Sequence, residues 1–224
     1  LHQLVSSQLD VDRLDYLNRD SFYTGVAEGT VGSDRIIKMM EVVNGELVLE
    51  EKGIYSIEKF LLARRLMYWQ VYLHKTVLSA ENLLSNMLRR AKYLVQKGEV
   101  VFATKSLMFF LEHTISSPSE SIDEELLERF AHLDDYDIFA SAKEWMTHSD
   151  KILSELSTRL IERKLLKIRL DVQPFDAAEV DALSQKWQSK GFSKVEADYF
   201  VFTGGITNSA YKDGEEKINI LLKT

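Results

Sequence analysis

Four polar residues with different chemistries share one side of a helix near the start of the chain. They are Asp12, Arg13, Tyr16 and Asp20. Because a helix advances by about 100° per residue, these side chains fall within one arc roughly 100° wide, opposite the intervening leucines. A solvated surface is the ordinary interpretation of such a face, but a large tyrosine ring is not needed there. The arc is therefore a candidate ligand-binding surface.

A second polar row occurs further along the chain. It comprises Arg64, Tyr68, Tyr72 and Lys75, which follow one another at i, i+4, i+8 and i+11. Tyrosines at this spacing are often core rings with a hydrated hydroxyl, and Arg or Lys often extends from such a stripe into solvent. If the two rows face each other, they line one pocket. Guanidinium groups would bind phosphate there, and a carboxylate would accept a hydrogen bond from a ribose hydroxyl.

Helices must position both rows. Residues 9–22 predict a helix followed by a glycine-containing loop, residues 34–43 a short helix, and Asn44-Gly45 a tight hairpin turn. No glycine or proline interrupts residues 56–96, which predict one long helix or two helices broken near Ser79. Later segments with helical patterns are 100–112, 123–133, 137–147, 150–163 and 177–190. Segments with strand patterns are 165–172, 198–203 and 217–222.

The predicted fold is mainly α, with a small α+β tail at its C-terminal end. The Ser-Ser-Pro-Ser stretch at residues 116–119 predicts a linker and a domain boundary near residue 117. Residues 1–117 and 118–224 are accordingly the two expected regions.

Composition excludes several classes of protein. The chain has 224 residues, of which 45% are hydrophobic, and its formal net charge is −7. This charge disfavours general nucleic-acid binding. The chain has no cysteine, which removes disulfides, thiol nucleophiles and cysteine-ligated zinc. No apolar run is long enough to span a membrane and no secretory signal is evident, so we expect no membrane partner and a cytoplasmic location.

Two segments resemble the HD-domain deoxynucleoside triphosphate triphosphohydrolases. Residues 6–20, Ser-Ser-Gln-Leu-Asp-Val-Asp-Arg-Leu-Asp-Tyr-Leu-Asn-Arg-Asp, look like that family's last metal-ligand segment. Residues 64–75, Arg-Arg-Leu-Met-Tyr-Trp-Gln-Val-Tyr-Leu-His-Lys, are similar to its R-x-x-[ML]-Y-x-x-V-Y-x-H-[KR] helix. The resemblance covers residues 1 to about 97. It implies that residues 1–117 are the helical C-terminal part of an HD domain.

The resemblance implies a role for each matched residue. Asp12 would be the terminal metal ligand, and Arg13 and Arg64 would contact the triphosphate. Tyr16 would pack on the nucleoside, and Tyr72 would border the sugar. Asp20 would bind the sugar hydroxyl. The full-length protein would use a divalent metal (Mg, Mn, Fe or Zn) to hydrolyse a deoxynucleotide to nucleoside and triphosphate.

The metal-ligand set of this chain departs from the family pattern. The family's other ligands, a histidine and a His-Asp dipeptide, precede the matched segment, and this chain has no His-Asp pair. A single carboxylate does not hold a catalytic metal, so we expect no metal bound to this chain, no catalytic residue within it and no activity. Because the chain also begins at Leu1, it is interpreted as the C-terminal portion of a longer protein.

Two alternatives remain open. The chain could bind a nucleotide or a partner without hydrolysing it. In that case Phe60, Trp69, Val77 and Leu84 of the long helical segment could form a homo-oligomer interface, or they could instead pack within the chain. Alternatively, HD hydrolysis could act on another phosphorylated small molecule.

Overall fold

The computed structural model describes residues 2–115, 124–207 and 217–222. These residues are mostly helical with one small sheet, which confirms the mainly α fold class. Contacts divide the chain into two compact units, Leu1–His74 with Gly205–Thr224, and Lys75–Gly204. Within the described ranges no helix is long and apolar enough to cross a membrane.

The first unit combines helices with a three-stranded sheet. Its helices are α1 (His2–Ser6), α2 (Val11–Thr24), α3 (Ser33–Lys38) and α4 (Ile54–Met67), and α4 continues into a π-helical turn at Tyr68–Tyr72. Its strands are β1 (Met40–Val43), β2 (Glu46–Glu50) and β3 (Asn219–Leu221). Strands β1 and β2 are antiparallel, with Val43 opposite Glu46, and β3 pairs with β2 in parallel.

The predicted hairpin is confirmed. Asn44 and Gly45 both have positive φ, 53° and 83°, and glycine and asparagine tolerate this conformation best. The segment before the hairpin differs from the prediction, because the helix ends at Lys38 and Met40 already begins β1. The run of residues 40–43 contains two valines, and its hydrogen bonds to β2 favour the strand over a longer helix.

One apolar core holds the first unit together. Leu14 and Leu17 of α2, Ile36 of α3, Leu49 of β2 and Phe60 of α4 are all nearly inaccessible to solvent. Burial of such side chains contributes roughly 1.5–3 kcal/mol each. The core therefore fixes α2 against α4, the two helices that carry the polar rows.

The second unit is helical. Its helices are α5 (Lys75–Gln96), α6 (Lys105–Glu112), α7 (Glu124–Ala131), α8 (Asp135–Trp145), α9 (Lys151–Ile161), α10 (Ala177–Gln188) and α11 (Lys194–Ala197). Its core gathers α5, α6, α8 and α9 around Trp145 and Leu153. Asp134 and Asp150 cap α8 and α9, so α8 begins about two residues before the predicted start at residue 137, whereas α9 begins at the predicted aspartate.

Two predicted strands are not formed. Residues 165–172 and 198–203 have no strand structure. Leu165, Leu166, Tyr199 and Val201 instead pack against the core of the second unit. The third prediction, at 217–222, holds for β3, which adds to the hairpin of the first unit. An alternating pattern becomes a strand only where a sheet edge accepts its hydrogen bonds, and the sequence does not specify that edge.

The long helical segment is interrupted earlier than predicted. The break lies at Leu73 and His74, between the π turn and α5, whereas the sequence suggested Ser79. Ser79 instead lies inside α5, where its hydroxyl donates to the carbonyl oxygen of Leu166 at 2.6 Å. The predicted domain boundary near residue 117 lies outside the described residues. The contacts divide the chain after His74 and before Gly205.

Candidate functional site

Helix α2 presents the first polar row with graded exposure. Asp10 caps the helix by accepting the backbone N–H of Arg13 at 2.8 Å, and Gly25 ends it with φ of 72°. Arg13, Tyr16 and Asp20 are half-buried, whereas Asp15 and Arg19 form an exposed ion pair. These three residues of the row therefore border the protein interior, whereas its fourth member, Asp12, is exposed.

The second row lies where α4 passes into the π turn. Arg64 belongs to the last turn of α4 and is only 4% exposed. The N–H of Leu73 donates to the carbonyl oxygen of Tyr68 at 2.7 Å, an i to i+5 bond that defines the π turn. The rings of Tyr68 and Tyr72 meet edge to face, with their centroids 5.4 Å apart. Turns of this kind occur frequently at functional sites.

The two rows meet at a phenol and a carboxylate. The hydroxyl of Tyr72 donates to Oδ2 of Asp20 at 2.7 Å, although 52 residues separate them in sequence. The ring of Tyr16 stands nearly perpendicular to that of Tyr72, with centroids 6.0 Å apart. Tyr16, Asp20 and Tyr72, which were assigned from separate sequence segments, thus form one contiguous cluster.

Burial controls the electrostatics of the cluster. It raises the pKa of Tyr16, and the nearby positive charge of Arg64 opposes that rise. Burial also raises the pKa of Tyr72, and the hydrogen bond to Asp20 raises it further. Both phenols are therefore neutral hydrogen-bond donors at ordinary pH. The guanidinium of Arg64 also lies 6.0 Å from the ring centroid of Tyr68, a cation–π distance.

The two arginines differ in access to solvent. The Arg13 side chain keeps 26% of its surface exposed, whereas Arg64 is buried. Nη1 of Arg13 donates to the carbonyl oxygen of Ser7 at 2.7 Å, and the guanidinium also forms an ion pair with Asp10. Arg13 is therefore the more accessible of the two guanidinium groups to an anion in solvent.

Sequence reasoning missed two residues of this region. Asp10 is the cap of α2 and the acidic partner of Arg13, a role that its place just before the helix could have indicated. Gln8 is 5% exposed and accepts a hydrogen bond from Nη1 of Arg64 at 3.3 Å. No local pattern could have identified Gln8, because its partner lies 56 residues further along the chain.

The predicted metal ligand, Asp12, lies on the exposed first turn of α2. In the part of the chain that the structure describes, no group of three or more His, Cys, Asp or Glu side chains could hold a metal ion. A catalytic divalent ion needs several protein ligands. The described residues therefore do not fit a metal centre by themselves, and Asp12 can contribute only one ligand to such a centre.

The residues considered for an oligomer interface belong to two different units. Phe60 is fully buried in the core of the first unit, and Leu84 packs against the core of the second. Trp69 is 57% exposed. The intramolecular alternative is therefore correct for Phe60 and Leu84, because the helical segment that joined them in the sequence is divided between two units.

Comparisons with known proteins agree on the class of fold. Residues 31–108 match the family model described as the HD associated region. The crystal structure of a phosphohydrolase from Bacteroides thetaiotaomicron superposes with a TM-score of 0.89 and is 49% identical in sequence. That match covers 99% of this chain and 55% of the other. The chain thus shares the fold of an HD-type phosphohydrolase over nearly all of its length.

Two curated relatives add different information. The uncharacterized protein YwfO of Bacillus subtilis is 38% identical over 73% of this chain and 36% of its own length. The deoxynucleoside triphosphate triphosphohydrolase SAMHD1 homolog of Dictyostelium discoideum is 30% identical over 86 residues, which cover 38% of this chain and 16% of that protein. The chain spans about half or less of the length of these proteins.

Proposed function

We propose that this chain supplies the substrate-binding part of an HD-superfamily phosphohydrolase that hydrolyses dNTPs to deoxynucleoside and triphosphate. The hydrogen bond from Tyr72 to Asp20 carries the proposal, because it unites the two polar rows in one cluster. The similarity to the Bacteroides phosphohydrolase and the shorter match to the triphosphohydrolase homolog favour the same reaction class.

In this proposal, some residues of the site bind the phosphates of the nucleotide and others bind its nucleoside. Arg13 and Arg64 would bind the phosphates, because guanidinium groups make strong, directional bonds to phosphate oxygens. Asp20 would accept a hydrogen bond from the 3′-hydroxyl of the sugar, while its other interaction, with Tyr72, keeps the carboxylate in place. The ring of Tyr16 would pack on the nucleoside. Tight packing around Tyr72 would disfavour a 2′-hydroxyl.

Hydrolysis would need more than these residues. Asp12 would provide one ligand for a divalent metal, and the others would come from residues outside this sequence. The described residues do not form the site of that metal by themselves. The proposed role of this chain is to bind and orient the substrate and to stabilise phosphate charge.

A second candidate is nucleotide binding without hydrolysis. It needs no metal site, and it relies on the same cluster of Tyr72 and Asp20. Both candidates use the same residues for binding, so they differ only in the reaction. A third possibility is hydrolysis of another phosphorylated small molecule, which substrate profiling would distinguish.

Binding is tested by titrating the purified chain with dGTP, GTP and inorganic tripolyphosphate in a calorimeter. Arg64→Ala should weaken dGTP binding roughly 10- to 100-fold, because a charge-assisted bond contributes about 1.5–3 kcal/mol. The neighbouring Arg65 is exposed, so Arg65→Ala removes the same charge without entering the cluster and should leave binding nearly unchanged. Equal effects of the two substitutions, or no binding to the wild-type chain, would contradict the proposed site.

Hydrolysis is tested separately, with Mn²⁺ or Mg²⁺ and several dNTPs. The chain alone should release no triphosphate, whereas a longer protein that includes the missing ligands should release it. Robust triphosphate release by the chain alone would disprove our view that its metal site is incomplete. A longer protein that binds dNTPs but hydrolyses none would support the second candidate.

A further inference from the structure

One short stretch of chain, residues 7–10, contacts both Arg13 and Arg64. The carbonyl oxygen of Ser7 and the carboxylate of Asp10 hold the guanidinium of Arg13. The side-chain oxygen of Gln8 accepts from Nη1 of Arg64 at 3.3 Å. Arg13 and Arg64 come from different helices, so this stretch fixes the mutual placement of two positive charges.

Asp10 and Gln8, one partner of each arginine, differ in charge. Asp10 is a carboxylate, so its ion pair offsets much of the positive charge of Arg13. Gln8 is neutral, so its hydrogen bond restrains the guanidinium of Arg64 and does not itself cancel any of its charge. This difference matters because Gln8 is 5% exposed and Arg64 is 4% exposed. Electrostatic interactions are stronger where water is excluded.

From this arrangement we infer that Gln8 is a positioning residue, which holds the Arg64 guanidinium ready for a phosphate group and preserves its positive charge. The inference rests on the proposed function, since it assumes that an anion binds at Arg64. It adds a requirement that the predicted site residues do not contain. The side chain at position 8 must be both a hydrogen-bond acceptor and uncharged.

Two substitutions separate these requirements. Gln8→Met keeps a chain of similar length but removes the acceptor, so Arg64 would lose its fixed position. Gln8→Glu keeps an acceptor in the same place, but its negative charge would pair with Arg64 and repel phosphate. We expect both to weaken binding of inorganic tripolyphosphate, on the order of tenfold for Gln8→Glu and several-fold for Gln8→Met.

Thermal unfolding distinguishes positioning from a purely structural role. If Gln8 only stabilises the fold, Gln8→Glu should match the wild type in both thermal stability and tripolyphosphate binding, because it preserves the hydrogen bond to Arg64. Our inference instead predicts that Gln8→Glu is at least as stable as the wild type and yet binds tripolyphosphate poorly. Gln3→Met is the matched control. Gln3 lies on α1 and accepts from the backbone N–H of Leu47 at 2.8 Å, so Gln3→Met removes a part-buried side-chain acceptor of the same kind whose partner lies in a strand of the hairpin.

The outcomes separate this inference from the proposed function. If the wild-type chain binds no tripolyphosphate, the proposed function fails and the inference fails with it. If the wild type binds and Arg64→Ala does not, but both Gln8 variants bind as the wild type does, only the inference is overturned. Tighter binding by Gln8→Met would also overturn it, because Gln8 would then compete with the anion. Should either Gln8 variant fail to fold, the other still decides the question, and Gln8→Asn provides a third test of a neutral acceptor.

Discussion

At the scale of single residues, the cluster depends on a neutral phenol bound to a charged carboxylate. Burial and the hydrogen bond to Asp20 both hold the pKa of Tyr72 above its ordinary value of about 10. A raised pKa in the folded state means that folding favours the protonated phenol. The stability that Tyr72 contributes is therefore complete below about pH 10 and is lost as the pH rises through its folded-state pKa.

Replacing Tyr72 with phenylalanine tests this pair. Tyr72→Phe removes the hydrogen bond to Asp20 and should lower the free energy of unfolding by about 1–2 kcal/mol at pH 7. The difference from the wild type should shrink above about pH 10, because ionisation of the phenol in the unfolded wild type then opposes folding. Urea denaturation at pH 7 and at alkaline pH measures both effects.

The control for this prediction is Tyr55→Phe, because Tyr55 is 82% exposed. That substitution should change the free energy of unfolding by less than about 0.5 kcal/mol. If Tyr72→Phe is no more destabilising than Tyr55→Phe, the hydrogen bond to Asp20 does not contribute to stability in solution.

At the scale of elements, helix termini explain much of the local structure. Asp150 caps α9 by accepting the N–H of Leu153 at 2.8 Å, and it also binds Arg90 of α5 through two hydrogen bonds. Burial on its own would raise the pKa of Asp150, but the hydrogen bonds from Arg90 and Leu153 outweigh it and lower the pKa. A lowered folded-state pKa stabilises the fold above about pH 4, and this contribution is lost as the pH falls further.

Asp150→Asn distinguishes the contribution of the helix cap from that of the ion pair with Arg90. Asparagine caps helices about as well as aspartate, so the substitution removes chiefly the ion pair with Arg90. We expect a loss of about 2 kcal/mol at pH 7, because one charge of a largely buried pair remains without its partner. The difference from the wild type should diminish as the pH falls below about 4, because protonation of the carboxylate in the unfolded wild type then opposes folding. Urea denaturation across this pH range provides the measurement.

Asp176→Asn is the matched control for the ion pair. Asp176 caps α10 by accepting the backbone N–H of Ala178, and Asp176 is exposed to solvent. The same chemical change there should cost little and should show no comparable dependence on pH. A similar loss at positions 150 and 176 would mean that the Arg90 ion pair adds nothing to the cap.

At the scale of the whole molecule, the first unit is assembled from both ends of the chain. Strand β3 pairs with β2, with Leu49 opposite Ile220, and Leu49 is 1% exposed. Removing residues 208–224 should therefore expose the edge of β2 and weaken the core beneath it. We expect faster amide hydrogen exchange in residues 46–50 of the truncated chain, measured by mass spectrometry.

The second unit provides an internal reference for that experiment. Helices α8 and α9 pack in a separate core, so their amide exchange should be unaffected by the truncation. Unchanged protection of residues 46–50 would contradict a stabilising role for β3. A general acceleration that includes α9 would mean that the truncation destabilises more than the first unit.

The sequence by itself determined the features that depend on neighbours along the chain. Helical spacing placed Asp12, Arg13, Tyr16 and Asp20 on one face of a helix, and Asn44-Gly45 identified the hairpin. Both succeed because a few residues fix the backbone geometry locally. The resemblance of two segments to a known family also implied an HD-type, mainly helical fold, and the described residues are mainly helical. The substrate and the metal remain proposals.

Only the tertiary structure decided which distant residues meet. The contacts of Tyr72 with Asp20 and of Arg64 with Gln8 span 52 and 56 residues. Strand β3 joins a sheet whose other strands lie more than 160 residues earlier. Such pairings depend on how the cores pack, and no local pattern encodes that packing. For the same reason residues 165–172 resembled a strand in sequence, yet they found no sheet edge with which to pair.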